Sequence, residues 1–148
     1  MNTNKPNWQS EDKLKSVREY AEWLNDNART MFLSDHAHME ILFLLSDDGS
    51  ASTVAVPVEQ DRDQIFASVA EQVKQEELFA AIQIVQRPVI VPNVADQGPL
   101  ESVLVYAQTR DGSSWMLVNL VVETETELLL EPAITVESPQ DALLPRFF

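Results

Sequence analysis

The chain contains no cysteine, which excludes disulfide staples, thiolate nucleophiles and thiolate metal ligands together. It holds three glycines, Gly49, Gly98 and Gly112, too few and too scattered to write a dinucleotide Gly-x-Gly-x-x-Gly turn or a phosphate-cradling loop. Positive charge is scarce: 10 Lys and Arg stand against 24 Asp and Glu, a net charge of −14. Such a field repels phosphate backbones and anionic lipid surfaces, so neither nucleic acid nor a membrane is expected as a partner. No apolar run is long enough to span a bilayer, and Met1 to Asn7 has no apolar leader segment, so the expected location is cytoplasmic.

What the chain has is the composition of one globular domain. Its 148 residues are 45% apolar, enough for a single core but not for two comfortable ones. Residues 1–148 are therefore read as one domain, with a loose arm over 1–9 and a tail of uncertain order over 133–148.

Leu14, Val17, Ala21, Leu24, Ala28 and Met31 recur at alternating three- and four-residue steps and predict a first helix, capped by Ser10 with Glu11 and Asp12 in its first turn. The stripe is heptad-like and flanked by Tyr20 and Trp23, so it could pair with a second copy. Packing on the chain's own sheet is the preferred reading, leaving monomer or homodimer open. Met39 to Leu45 is a short apolar run ended by Ser46-Asp47-Asp48-Gly49-Ser50, and Ala51 to Val58 returns as the second strand of a hairpin. Asp61 and Gln64 form a capping box before a second helix with Ile65, Phe66, Val69, Ala70 and Val73 inward.

Leu78 to Val85 reads as strand. Arg87 to Leu100, with Pro88, Pro92, Gly98 and Pro99, reads as irregular. Ser102 to Gln108 and Trp115 to Val122 form a second hairpin around Arg110-Asp111-Gly112-Ser113, Leu128 to Leu130 offers a last short strand, and Ile134 to Val136 an edge piece or nothing. The expected fold is α+β: a mostly antiparallel sheet of about five or six strands with two helices, in the order α-β-β-α-β-β-β. Profilin-like, GAF-like and roadblock-like domains share that order, which carries no function.

The stretch Leu42 to Gly49, the helix from Asp61 to Glu77 and the Thr109-Arg110-Asp111-Gly112 hairpin together resemble a loosely defined group of uncharacterised small bacterial and phage α+β proteins. That resemblance covers roughly Ser34 to Val122 and implies no activity. The proline-rich segment and the extended tail depart from it.

Three constellations could carry function. Residues two apart on a strand point to one side, so His36, His38 and Glu40 would aim the same way and could hold Zn²⁺ or Fe²⁺ with open positions for water, the basis of a small metal-dependent hydrolase. His36-Ala37-His38 followed by Ser46 also resembles part of the JAMM metalloprotease pattern, but Gly49 occupies its aspartate position. The plainer reading is two exposed histidines at the start of a strand and no cofactor. Glu123, Glu125, Glu127 and Glu131 form an acidic run, either a solvated edge or a docking strip for a basic partner. Phe147 and Phe148 end an unusually apolar tail that packs on its own domain or inserts into a neighbour, with self-packing preferred.

The leading expectation is a non-enzymatic acidic protein-interaction or regulatory module, of which an inhibitor or immunity-type protein is one form. Its partner-binding residues are Glu123, Glu125, Glu127, Phe147 and Phe148, and its partner is another protein. The metal-dependent hydrolase and a small-ligand sensor with a pocket along Arg87 to Leu100 are the alternatives.

Overall fold

A computed structural model describes residues 12–89, 100–139 and 145–148. The arm over 1–9, the Ser10 cap with Glu11, residues 90–99 of the proline-rich segment and part of the tail lie outside them.

Helix α1 (Lys13–Asp35) starts at Asp12, whose carboxylate accepts the Lys15 N–H at 3.0 Å, so the cap is Asp12 where Ser10 was expected. Two hairpin strands follow, β1 (Glu40–Leu45) and β2 (Ala51–Val56). Next comes α2 (Arg62–Gln75), capped by Asp61 through the N–H groups of Asp63 and Gln64. Then β3 (Ala80–Val89), β4 (Leu100–Thr109) and β5 (Ser114–Glu123) run back and forth, ending in the short β6 (Leu128–Leu130) and β7 (Ile134–Glu137). The fold is α+β with the expected element order. Among the described residues its antiparallel sheet has seven strands, because Ile134–Glu137 pairs with β5.

The sheet order is β2-β1-β3-β4-β5-β6, and β7 shares the outer edge of β5 with β6. Strand alternation divides the core. One face, with Leu45, Ile82, Ile84, Val103, Val105, Ala107 and Trp115, is covered by Val17, Tyr20, Ala21, Leu24, Ala28 and Phe32 of α1. On the other, Leu42, Leu44, Val56 and Ala81 pack beneath Val69 and Val73 of α2.

The helical stripe thus lies on the chain's own sheet, but it ends at Phe32, which is buried, while Met31 is 44% exposed. A straight helix has 3.6 residues per turn, so a heptad-spaced stripe drifts about 20° per heptad, and by its last member it has moved toward the rim of the buried face. The stretch read as irregular also begins late: β3 continues through Arg87, Pro88 and Val89, paired with Ser102, Glu101 and Leu100. β1 pairs with β3 only as far as Ile84, so Pro88 sits where that side of the strand is open, a place that tolerates proline.

The two hairpin turns are copies of one design. In Ser46-Asp47-Asp48-Gly49-Ser50, the Gly49 N–H donates to the Ser46 carbonyl at 3.0 Å. In Thr109-Arg110-Asp111-Gly112-Ser113, the Gly112 N–H donates to the Thr109 carbonyl at 3.1 Å. Both glycines adopt positive φ, 85° and 92°, as a three-residue turn requires. Asp48 accepts from the Ser46 hydroxyl and the Ser50 N–H, and Asp111 accepts in the same way from Thr109 and Ser113. The turns also touch, since Arg110 donates to Asp47 at 3.1 Å, while Lys13 reaches Asp47 from α1 at 3.0 Å.

Candidate functional site

The acidic run lies on the β5–β6 hairpin at one end of the sheet. Thr124 closes the turn: its N–H donates to the Glu127 carbonyl at 2.9 Å, and its hydroxyl oxygen accepts the Glu127 N–H at 3.1 Å. Leu128 and Leu130 face the α1 core while Leu129, between them, points out. Glu123, Glu125, Glu127 and Glu131 are all exposed, and none makes an ion pair among the described residues.

The hairpin is mounted on a buried polar network. Asn119 of β5 is fully buried; its amide nitrogen donates to Asn25 Oδ1 at 2.7 Å and to the Val103 carbonyl at 2.9 Å. Arg29 donates to Asn119 Oδ1 at 2.9 Å and to the Glu131 carbonyl at 2.7 Å, tying α1 to the chain leaving β6. A buried asparagine is stable only when its donors and acceptors are met, so the network fixes how helix and hairpin meet. Glu22 and Asp26, exposed on α1, carry the same sign as the hairpin.

The tail residues part company. Phe147 is buried against Phe66 of α2, ring centroids 6.0 Å apart, within the cluster beneath that helix. Gln108 holds the backbone there: its Nε2 donates to the Pro145 carbonyl at 2.9 Å, and its Oε1 accepts the Phe147 N–H at 2.8 Å. Phe147 is therefore an anchor of its own domain, and of the pair Phe148 is the one presented outward, 40% exposed. Phe148 lines an open cleft of about 600 Å³ with Val73, Lys74, Leu78 and Arg110.

The histidines do not share a strand face. β1 begins at Glu40, and His36 is the C-cap of α1 with φ 60°, its N–H donating to the Phe32 carbonyl. His38 lies in the connection, its N–H on Gln86 Oε1 at 3.0 Å and its Nδ1 2.6 Å from the Met39 carbonyl oxygen, an arrangement that needs a proton on Nδ1. Glu40 faces α2, where Arg62 grips it with two bonds of 2.7 Å and Gln83 donates to it from β3. The Glu40 carboxylate, as first cause, holds the Arg62 guanidinium above its ordinary pKa. The alternation behind a three-ligand set therefore stops at Glu40. The described residues contain no group of three or more His, Cys, Asp or Glu placed to hold a metal ion. The JAMM-like positions Ser46 and Gly49 belong to a hairpin turn.

Reading the sequence missed the polar residues set inside apolar strands: Gln83, Gln108 and Asn119, each at most 5% exposed. The signal was present in Ile82-Gln83-Ile84 and Val118-Asn119-Leu120, where a lone amide interrupts a core run and calls for buried partners.

No family model, curated protein or solved structure matches the chain.

Proposed function

We propose that the protein is a non-enzymatic interaction or regulatory module that engages a basic partner protein in the cytoplasm through the β5–β6 hairpin. An inhibitor or immunity-type protein is one concrete form of this reading. The supporting observation is the set Glu123, Glu125 and Glu127: exposed carboxylates without ion pairs among the described residues, on a turn closed by Thr124 and anchored through Arg29 and Asn119. A fixed cluster of one sign steers an oppositely charged surface toward it and sets the register of docking. Phe148, near the Asp47 and Arg110 turns and away from this hairpin, offers a separate apolar contact.

The test is to recover the partner by cross-linking from its native extract and compare its association rate with wild type and with Glu123→Lys/Glu125→Lys/Glu127→Lys. Steered association should slow about tenfold or more in the variant. Wild type should slow similarly when ionic strength rises from about 0.1 M to about 1 M, as the screening length falls from about 10 Å to about 3 Å. A rate indifferent to both changes contradicts the proposal.

A further inference from the structure

At the opposite end of the sheet, β2 has one paired edge and one open one, since among the described residues no strand lies beyond it. The bond from the Ser46 N–H to the Ser50 carbonyl sets the phase of the β1–β2 ladder. Ser52, Val54 and Val56 exchange bonds with β1, and Ala51, Thr53 and Ala55 turn their N–H and C=O groups outward. Pro57, the next residue of that parity, has no N–H and closes the row.

Exposed edges are normally blunted by charge, proline, a bulge, shortness or a covering element. The far edge uses several of these: β6 has three residues, the end of β5 and the turn leading into β6 carry Glu123, Glu125 and Glu127, and Glu131-Pro132 follows it. β2 uses none. Its six residues, Ala-Ser-Thr-Val-Ala-Val, include no charge and no proline, and its register with β1 is continuous.

The side chains agree with the backbone. On the α1 side, Ala51, Thr53 and Ala55 lie opposite Leu45, Phe43 and Ile41. α1 packs mainly over β3, β4 and β6, so the three small residues are exposed and Ile41 and Phe43 stay half-buried behind them. The small residues form a shelf across which bulky side chains of an added strand could reach the larger ones. Val58 stands fully exposed just beyond.

Charge at the two ends selects the occupant. Asp48 is exposed at the hairpin end, and Glu59, Asp61 and Asp63 are exposed at the other, while the nearby cations are already engaged: Arg62 with Glu40, and Lys13 and Arg110 with Asp47. A second copy paired antiparallel through its own β2 would set Asp48 of one molecule near Glu59 of the other at both ends, and like charges there oppose it. We infer that the β2 edge accepts an extended segment of another protein as an eighth, antiparallel strand, with bulky apolar side chains at alternate positions toward the α1 side and basic residues at both ends. This site goes beyond the acidic hairpin and lies at the other edge of the sheet, so the two are tested separately.

The probe is the synthetic peptide Lys-Lys-Thr-Phe-Thr-Ile-Thr-Lys-Lys, titrated into the ¹⁵N-labelled full chain. Backbone amides of Ala51, Thr53 and Ala55 should shift and become protected from hydrogen exchange. A peptide with glutamate in place of every lysine should bind about tenfold more weakly or less. N-methylation of the peptide's alternate residues should abolish binding without touching the protein, and Thr53→Pro, which removes an outward N–H but no bond to β1, should do the same. Glu123→Lys/Glu125→Lys/Glu127→Lys should leave the titration unchanged. Equal binding of the glutamate peptide, undiminished binding of the N-methylated one, or shifts elsewhere would overturn the inference. So would a free protein that is already dimeric with these three amides protected, which would assign the edge to a second copy.

Discussion

Replacing Phe147 by alanine separates the two uses of an apolar tail. If the ring anchors its own domain, the substitution removes a side chain that is 6% exposed, stacked edge-on against Phe66 and set among Leu42, Leu44, Val69 and Val73. Truncating a buried phenylalanine costs about 3–5 kcal/mol, of which the aromatic pair supplies about 0.5–1.5. The lower figure applies where a segment can leave the surface and spare the fold a trapped cavity. At about 3 °C per kcal/mol for a chain of this length, Tm should fall by about 10 °C in a thermal melt followed by circular dichroism. Phe148→Ala should stay within about 0.5 kcal/mol of wild type. Gln108→Ala breaks the bonds to Pro145 and Phe147, so its cost should add to that of Phe147→Ala less than fully, because either change frees the same segment. A Phe147→Ala protein melting within about 1 °C of Phe148→Ala would refute the reasoning and return Phe147 to the list of partner contacts.

Asn119→Leu should cost about 2–4 kcal/mol in urea unfolding, since it strands Asn25, Arg29 and the Val103 carbonyl together; a loss below about 1 kcal/mol would mean water replaces these bonds freely. Asp48 is held at a pKa of about 2, by the Ser50 side chain first, then the Ser50 N–H and Ser46, against an ordinary 3.8. A depressed carboxylate contributes stability that is fully present above its unfolded value and lost as pH falls through its folded one. The stability difference between wild type and Asp48→Asn should therefore shrink between pH 3.8 and about 2 and be constant above; a difference that does not change over that range would contradict it. With Glu40 gripped by Arg62 and His36 at a helix cap, added Zn²⁺ should leave the Tm of wild type and of His36→Ala/His38→Ala alike within about 1 °C. A zinc-dependent rise in wild type alone would restore the hydrolase reading.

Local chemistry made most of the fold legible. Two Asp-Gly turns fix two hairpins because each supplies its own positive-φ glycine and its own carboxylate acceptor. The apolar periodicities likewise located α1 and α2. What escaped was set by tertiary context. Pro88 is compatible with a strand only because β1 stops pairing at Ile84, and Ile134–Glu137, open in the sequence between an edge piece and nothing, becomes a strand because β5 leaves it an edge. The same-side argument for His36, His38 and Glu40 needs all three on one strand, but His36 caps α1 and β1 starts only at Glu40, a boundary set by where the helix ends in space. The acidic hairpin was visible as composition, but its mounting on Arg29 and Asn119 depends on residues far apart in the chain.

The most direct measurement is the salt dependence of association between this chain and its cross-linked partner, with and without charge reversal at Glu123, Glu125 and Glu127. The account predicts that the logarithm of the association rate falls steeply with ionic strength for wild type, and that the slope flattens or changes sign in the variant. Two parallel lines of equal slope would show that these carboxylates take no part in recognition.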